Sequence, residues 1–179
     1  KKAKVVCFYP DVSFHTHGNH LQNTLPLYEK VFTTKTFGIK DMEKQLGQQN
    51  GVFIPHGFDP EIHRKLDISD KIRKQFECDA SFIGTWSPHK EEYLSFLITE
   101  LPELNLKIWG GGWHNAGKIL APYIQGIAVM GDLYAIAIQC SKINIALLSE
   151  QVVGASSGDF ITSRTFHIPA SGGFMLHQD

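Results

Sequence analysis

Seven short apolar runs, rich in β-branched and aromatic residues, punctuate this chain. They cover residues 4–9 (KVVCFY), 31–34 (VFTT), 52–54 (VFI), 79–84 (DASFIG), 104–109 (LNLKIW), 143–148 (INIALL) and 174–176 (FML). Such runs, each closed by a turn residue, read as buried strands. Helix-patterned stretches stand between them. Residues 21–30 are helical but interrupted by Pro26, and 38–46 are stopped by Gly47. Residues 65–78 are strongly charged and read as a connecting helix and linker, and 133–140 form another helix. Ser87 is a good N-cap and Pro88 a good first helical residue, ahead of a stripe of Tyr93, Leu94, Leu97, Ile98 and Leu101. Alternating strands and helices imply parallel sheets with right-handed crossovers.

Composition narrows the function classes. Hydrophobic residues make up 42% and charged ones 20%, the balance of a globular chain. Lys and Arg number 17 against 18 Asp and Glu, so no basic surplus calls for a nucleic-acid partner. Cys7, Cys78 and Cys140 are odd in number and lie in or beside apolar runs, which suits reduced, buried thiols in a cytoplasmic protein. No apolar run approaches a membrane span, and no signal peptide is visible. The chain enters a strand almost at once and stops directly after another, so it reads as a fragment, because a doubly wound domain needs further helices.

Several segments carry candidate chemistry. Asp11 follows the first strand, where side chains face the ligand crevice of a parallel sheet. The loop after it holds His15, His17 and His20; their spacing matches no structural-zinc pattern, so no metal is assigned, and a polar loop touching substrate is the reading taken. Gly84, Thr85 and Trp86 join a strand to a helix N-terminus, the layout that receives phosphate in α/β folds, though without a G-x-G-x-x-G fingerprint. Gly110, Gly111 and Gly112 let backbone approach a ligand, and Trp109 and Trp113 beside them either stack on a base or sugar or pack inward. A last helix opens near Thr162, with Arg164 in its first turn, Pro169 kinking or ending it, and Gly172 and Gly173 beyond. A first-turn arginine makes sense where an anion sits; a solvent-facing side chain is the alternative.

The run RTFHIPASGGFML resembles the R-T/S-F-E-I-P-A-x-G-x-F-x-L signature of the glycosyltransferases related to the spore maturation protein CgeB. The segment IPHGFDPEIHR is similar to the P-x-G-x-D-x-x-x-F/H stretch that marks the interdomain hinge of GT-B enzymes, and F-x-G at Phe82–Gly84 and strand–Gly–x–Gly–W ending at Trp113 fall in family order. Tyr134, Ala137, Ser141, Lys142, Ile143, Ile145 and Leu147 match the family's Y-x-x-A-x-x-x-S-K-I-x-L-x-L pattern. The resemblance implies an α/β, GT-B-like fold of two Rossmann-like parallel-sheet units facing a cleft, both truncated. Residues 1–60 would be the rest of an acceptor-side domain, 61–78 a linker and 79–179 an incomplete donor domain.

The implied activity is sugar transfer from a nucleotide-diphosphate donor to an acceptor hydroxyl, on a glycan, lipid-linked or protein acceptor, with no metal and no cofactor beyond the nucleotide-sugar. Arg164 and the helix N-terminus would stabilise the leaving diphosphate. Asp159 would position the sugar, and Asp11 or His15 would act as base toward the acceptor. Gly84, Thr85, Trp86, Gly110, Gly111, Trp113, Thr165, Phe166, His167 and Gly172 would line the donor. One departure stands out. The two glutamates that retaining members carry fall on Asp159 and His167, and an imidazole lacks the charged, two-oxygen acceptor of a carboxylate. A catalytically degenerate nucleotide- or glycan-binding module, or a sugar-nucleotide epimerase, is therefore the alternative.

Overall fold

The computed structural model of the chain describes residues 3–11, 19–148 and 161–178. Among them stand seven strands and six α-helices, in the alternating order the apolar runs lead one to expect. They form two compact units, each built on a wholly parallel sheet. The fold class is α/β.

The first unit holds the described residues up to His56, together with Ile161. Its strands β1 (Val6–Phe8), β2 (Lys30–Thr33) and β3 (Gly51–Phe53) lie in the order β1-β2-β3, with Cys7 beside Val31 and Val31 beside Gly51. Helix α1 (Asn19–Thr24) gives way at Pro26 to a 3-10 turn, Leu25–Leu27, and α2 (Thr36–Leu46) ends at Gly47, whose φ of 66° only glycine adopts readily. Val31 packs with Leu25 and Met42 into a small core. A Cβ on Gly51 would come within 3.0 Å of the Met42 methyl, so the glycine lets α2 lie close on the sheet.

The second unit runs from Gly57 to Leu148 and resumes at Thr162. Its sheet has the order β5-β4-β6-β7, from β4 (Cys78–Ile83), β5 (Leu106–Trp109), β6 (Ser141–Ala146) and β7 (Met175–His177). Helices α3 (Asp70–Phe76), α4 (Pro88–Glu100), α5 (Asp132–Gln139) and α6 (Arg164–Ala170) connect and cover these strands. Ser87 caps α4 as expected, its Oγ accepting from Lys90 N at 3.4 Å, and Pro88 is the first helical residue. The main core joins Ala80, Phe82, Leu94, Ile98, Ile108 and Trp113.

The linker and the start of the last helix differ from the sequence expectation. The break between the two units falls after His56, and residues 61–78, read as a separate linker, belong with the second unit. Leu66 N donates to Gln139 Oε1 at 3.1 Å, Gln139 Nε2 donates to Arg64 O at 3.3 Å, and Arg64 pairs with Asp132 at 3.0 Å. These contacts dock the segment on α5, and charge density alone does not report that. Helix α6 begins at Arg164, two residues later than expected, and runs one residue past Pro169, which lacks the N–H that another residue there would donate to Thr165 O.

One buried amide fixes the last crossover. Asn144, 2% exposed on β6, accepts from Ser81 Oγ at 3.0 Å and donates to Ile138 O and Phe174 O at 3.2 and 3.1 Å. It thereby ties β4, α5 and the entrance to β7 together. A Cβ on Gly173 would lie 2.4 Å from Ile138 Cγ2 and 2.8 Å from Asn144 Nδ2, so the chain leaving α6 passes there only as glycine.

Candidate functional site

In a parallel sheet the strands' carboxyl ends carry the loops that meet ligands. At this end of the second sheet the loops after β4 and β5 are held edge to edge. Gly84 N donates to Trp109 O and Trp86 N to Gly111 O, both at 2.9 Å. Gly110 has φ 133°, and a Cβ there would fall 2.1 Å from Gly84 O. Only a glycine lets the two backbones approach this closely.

Thr85, at the tip of the first loop, is exposed, and among the described residues neither its N–H nor its hydroxyl has a partner. Its carbonyl accepts from Lys90 Nζ at 3.0 Å, a lysine only 6% exposed in the first turn of α4. Trp86 is half-buried, its indole N–H donating to Glu91 Oε2 at 2.6 Å.

Arg164 completes this end of the sheet. It opens α6, but its guanidinium folds back against the strands: Nη2 donates to Leu147 O at 2.5 Å and Nη1 to Ile83 O at 3.4 Å. The guanidinium carbon stands 5.5 Å from the centre of the Phe82 ring. A Cβ on Gly84 would lie 3.2 Å from Nη1, so the glycine loop and the cation are immediate neighbours. Among the described residues no carboxylate bonds Arg164, and its Nε is buried without a partner. Burial pulls the guanidinium below its ordinary pKa, and the facing Tyr134 opposes that only in part. An enclosed cation with carbonyl neighbours and a bare N–H has capacity left for an anion. The solvent-facing alternative for Arg164 does not hold.

Gly84, Thr85, Trp86, Gly110, Gly111, Trp113 and Arg164 are thus brought together, and the remaining candidates stand elsewhere or are otherwise engaged. The tryptophan rings read as stacking platforms are core rings: Trp109 and Trp113 are each 2% exposed, and Trp113 donates its indole N–H to Gly84 O at 2.8 Å. Trp113 shapes the loop from behind. Thr165 Oγ1 accepts from Thr162 N at 3.1 Å and lies 3.3 Å from His177 Nε2, and Phe166 is half-buried on α6.

His167 stacks on His63, ring centres 3.8 Å apart at 16°, with Tyr134 edge-on at 6.0 Å. Gly172, φ 83°, ends α6 in the left-handed position and lies against the Lys65 side chain. Asp11 is exposed after β1 in the first unit, while His15 and Asp159 lie outside the described residues. Among the described residues no three His, Cys, Asp or Glu side chains converge on a metal position, and no helix is long and apolar enough to cross a membrane.

The sequence reading missed Lys90 and Glu91. An acidic residue in a helix's first turn is explained by the helix dipole alone, so Glu91 gives no separate signal. A lysine there runs against the dipole, and that mismatch was the available clue to Lys90.

A search of curated proteins returns no match. A family model described as glycosyl transferase-like matches residues 89–179, just over half of the chain. The matched span begins after the 84–86 loop but includes Glu91, the glycines after β5, Asn144 and Arg164. By that match, the chain belongs to the glycosyl transferase-like family.

Proposed function

We propose that this protein transfers a sugar from a nucleotide-diphosphate donor to an acceptor hydroxyl, in the manner of the CgeB-related enzymes, without a catalytic metal and in the cytoplasm. The observation that carries this reading is Arg164: a guanidinium enclosed at the carboxyl end of the sheet, its Nε bare, beside a glycine-lined pair of loops. In the reaction the acceptor oxygen bonds to the anomeric carbon while the bond from that carbon to the diphosphate oxygen breaks. The bonding electrons leave with the diphosphate, and the hydroxyl proton passes to a base. Arg164 and the Thr85 N–H are assigned to the charge that grows on the diphosphate, where preorganised donors contribute most. Asp159 is assigned to the sugar hydroxyls, and Asp11 or His15 to the proton.

The test is thermal stability against a panel of UDP-, GDP-, ADP- and CMP-sugars, since a ligand that binds only the folded state must raise its stability. One nucleotide class should raise the melting temperature, and Arg164→Ala should remove the shift. Absence of any shift overturns the donor reading. A second reading, a binding module without turnover, draws on His167, whose ring is engaged with His63 where retaining relatives carry a carboxylate. Donor binding without donor hydrolysis or transfer would favour it. Turnover that needs no acceptor would point to an epimerase.

A further inference from the structure

Glu91 joins two loops that the donor reading requires to act together. It stands in the first turn of α4, and each of its carboxylate oxygens serves a different segment. Oε2 accepts from the Trp86 indole N–H at 2.6 Å, at the end of the loop after β4. Oε1 accepts from Gly117 N at 2.7 Å, in the chain that follows β5. A Cβ on Gly117 would come within 3.2 Å of Oε1, so the glycine leaves room for the carboxylate. Both bonds have an ionised acceptor and are short, which places them among the stronger kind. The backbone bonds at Gly84 and Trp86 and the Trp113 indole fasten one side of this loop pair. Glu91 fastens the other, and Lys90 beside it holds the Thr85 carbonyl between them.

We infer that Glu91 is a positioning residue for the nucleotide-sugar: its carboxylate clasps the Trp86 ring and the segment around Gly117, so that the exposed Thr85 and the glycine backbone meet the donor already ordered. This rests on the donor reading above. A loop pair that must first be ordered by its ligand binds more weakly, because the ordering entropy is then lost on binding. A clasp of this kind acts on donor affinity and leaves the chemical step alone. Glutamate at a helix N-terminus also favours the helix through its dipole, and that contribution alone would move stability and nothing else.

The experiment compares wild type, Glu91→Ala, Glu91→Gln and Trp86→Phe for three readouts. These are amide exchange, donor affinity from the nucleotide-sugar panel, and the split between KM and kcat. Wild type is read first. If it binds no member of the panel, the donor reading fails and the positioning role with it, whatever the exchange shows. If it binds, Glu91→Ala should weaken the donor about tenfold and raise its KM by the same factor, with kcat within about twofold. Exchange should quicken around residues 84–87 and 110–118 and not at the helices' cores. Glu91→Gln, which keeps one acceptor oxygen, and Trp86→Phe, which keeps an aromatic ring but not the indole N–H, should fall between. Unchanged exchange in Glu91→Ala overturns the clasp; quicker exchange with unchanged donor affinity overturns the positioning role and leaves a helix-stabilising residue.

Discussion

At its amino end the four-stranded sheet opens onto a hollow of about 450 Å3, edged by Arg73, Glu77, Asp79, Asn105 and Lys142, while at its carboxyl end Arg164 packs down onto Tyr134, Ile138 and Ile168 with no comparable space between them. Of these two spaces the amino-end hollow is the larger. The polar groups favour the other end. Around the hollow several of them pair with one another, while Arg73 and Glu77 stand exposed to solvent: Lys142 Nζ lies 2.7 Å from Asp79 Oδ1, Asn105 N donates to Asp79 Oδ2 at 3.2 Å, and the Cys78 sulfur lies 3.2 Å from Ser141 Oγ. At the carboxyl end Arg164 Nε and the Thr85 N–H have no partner among the described residues. Of these donors Arg164 Nε is the buried one, and a buried donor without a partner carries a desolvation cost that a bound anion would relieve, whereas groups around an open hollow are served by water. The direction of a parallel sheet favours the same end.

The strongest way to break this comparison is to remove the cation. Arg164→Ala should lower sugar transfer by about 10² to 10³, on the order of 3–4 kcal/mol, the usual effect of deleting a donor aimed at developing charge. The variant also loses the bonds to Leu147 O and Ile83 O, so its melting temperature will drop. Arg164→Lys separates the two effects, since it keeps the charge but not the forked geometry. Steady-state transfer by that variant should stay below a tenth of wild type even where its melting temperature is restored. Full transfer activity in Arg164→Ala would end the assignment.

Next in size is the scaffold beneath that end. Asn144→Ala leaves Ser81 Oγ, Ile138 O and Phe174 O without their partner in the interior. It should cost about 2–3 kcal/mol in denaturant unfolding. Because α6 hangs between β6 and β7, donor affinity should fall as well. A loss of stability with donor affinity intact would show that Arg164 is held by its own contacts and not by the Asn144 network.

How much of this was legible in the sequence follows from how local each feature is. Strands announced themselves as apolar runs, and Ser87, Pro88 and Gly47 began or ended helices through local chemistry of their own: a side-chain cap, a fixed φ and a left-handed φ. The residues that gather at the carboxyl end were legible as types, because glycine beside a strand and arginine beside a helix are local signals. What they touch was not. Trp109 and Trp113 are adjacent to three glycines in sequence, yet burial against Phe76 and Phe82, from other elements, decides that their rings face inward. His167 finds its partner His63 over a hundred residues away, across a segment that reads as a linker. Glu91 reaches Gly117 in a loop whose path no periodicity encodes.

A smaller effect tests the environment of Arg164 through pH. Burial pushes the Tyr134 hydroxyl up from 10.0 to about 12, against the opposing pull of Arg164. The folded state therefore holds this proton more tightly than the unfolded chain. The sign follows: the contribution is complete below pH 10, where both states keep the proton, and is lost as pH rises from 10 toward 12. Wild type should lose about 2 kcal/mol across that window through this group. Tyr134→Phe should show a correspondingly flatter alkaline limb in denaturant titrations. Parallel limbs for the two proteins would mean that Tyr134 is not enclosed beneath Arg164.

The smallest expected effect bears on the other end of the sheet, and for that reason discriminates best. Lys142 and Asp79 face solvent, each holding the other charged: the Lys142 bond, then the Asn105 N–H, keeps the Asp79 carboxyl below its ordinary 3.8, and Asp79 raises Lys142 above 10.5. A depressed acid contributes above its ordinary value and fades as pH falls below it; a raised base contributes below its ordinary value and fades as pH climbs past it. Between those limits the pair is constant, and an exposed pair is screened by water and salt. Lys142→Ala should thus leave the neutral-pH melting temperature and the nucleotide-sugar shift unchanged, although it strips a charge from the rim of the amino-end hollow. If it instead weakens the shift as Arg164→Ala does, the donor occupies the hollow, and unpaired donors are a poorer guide than volume in this sheet.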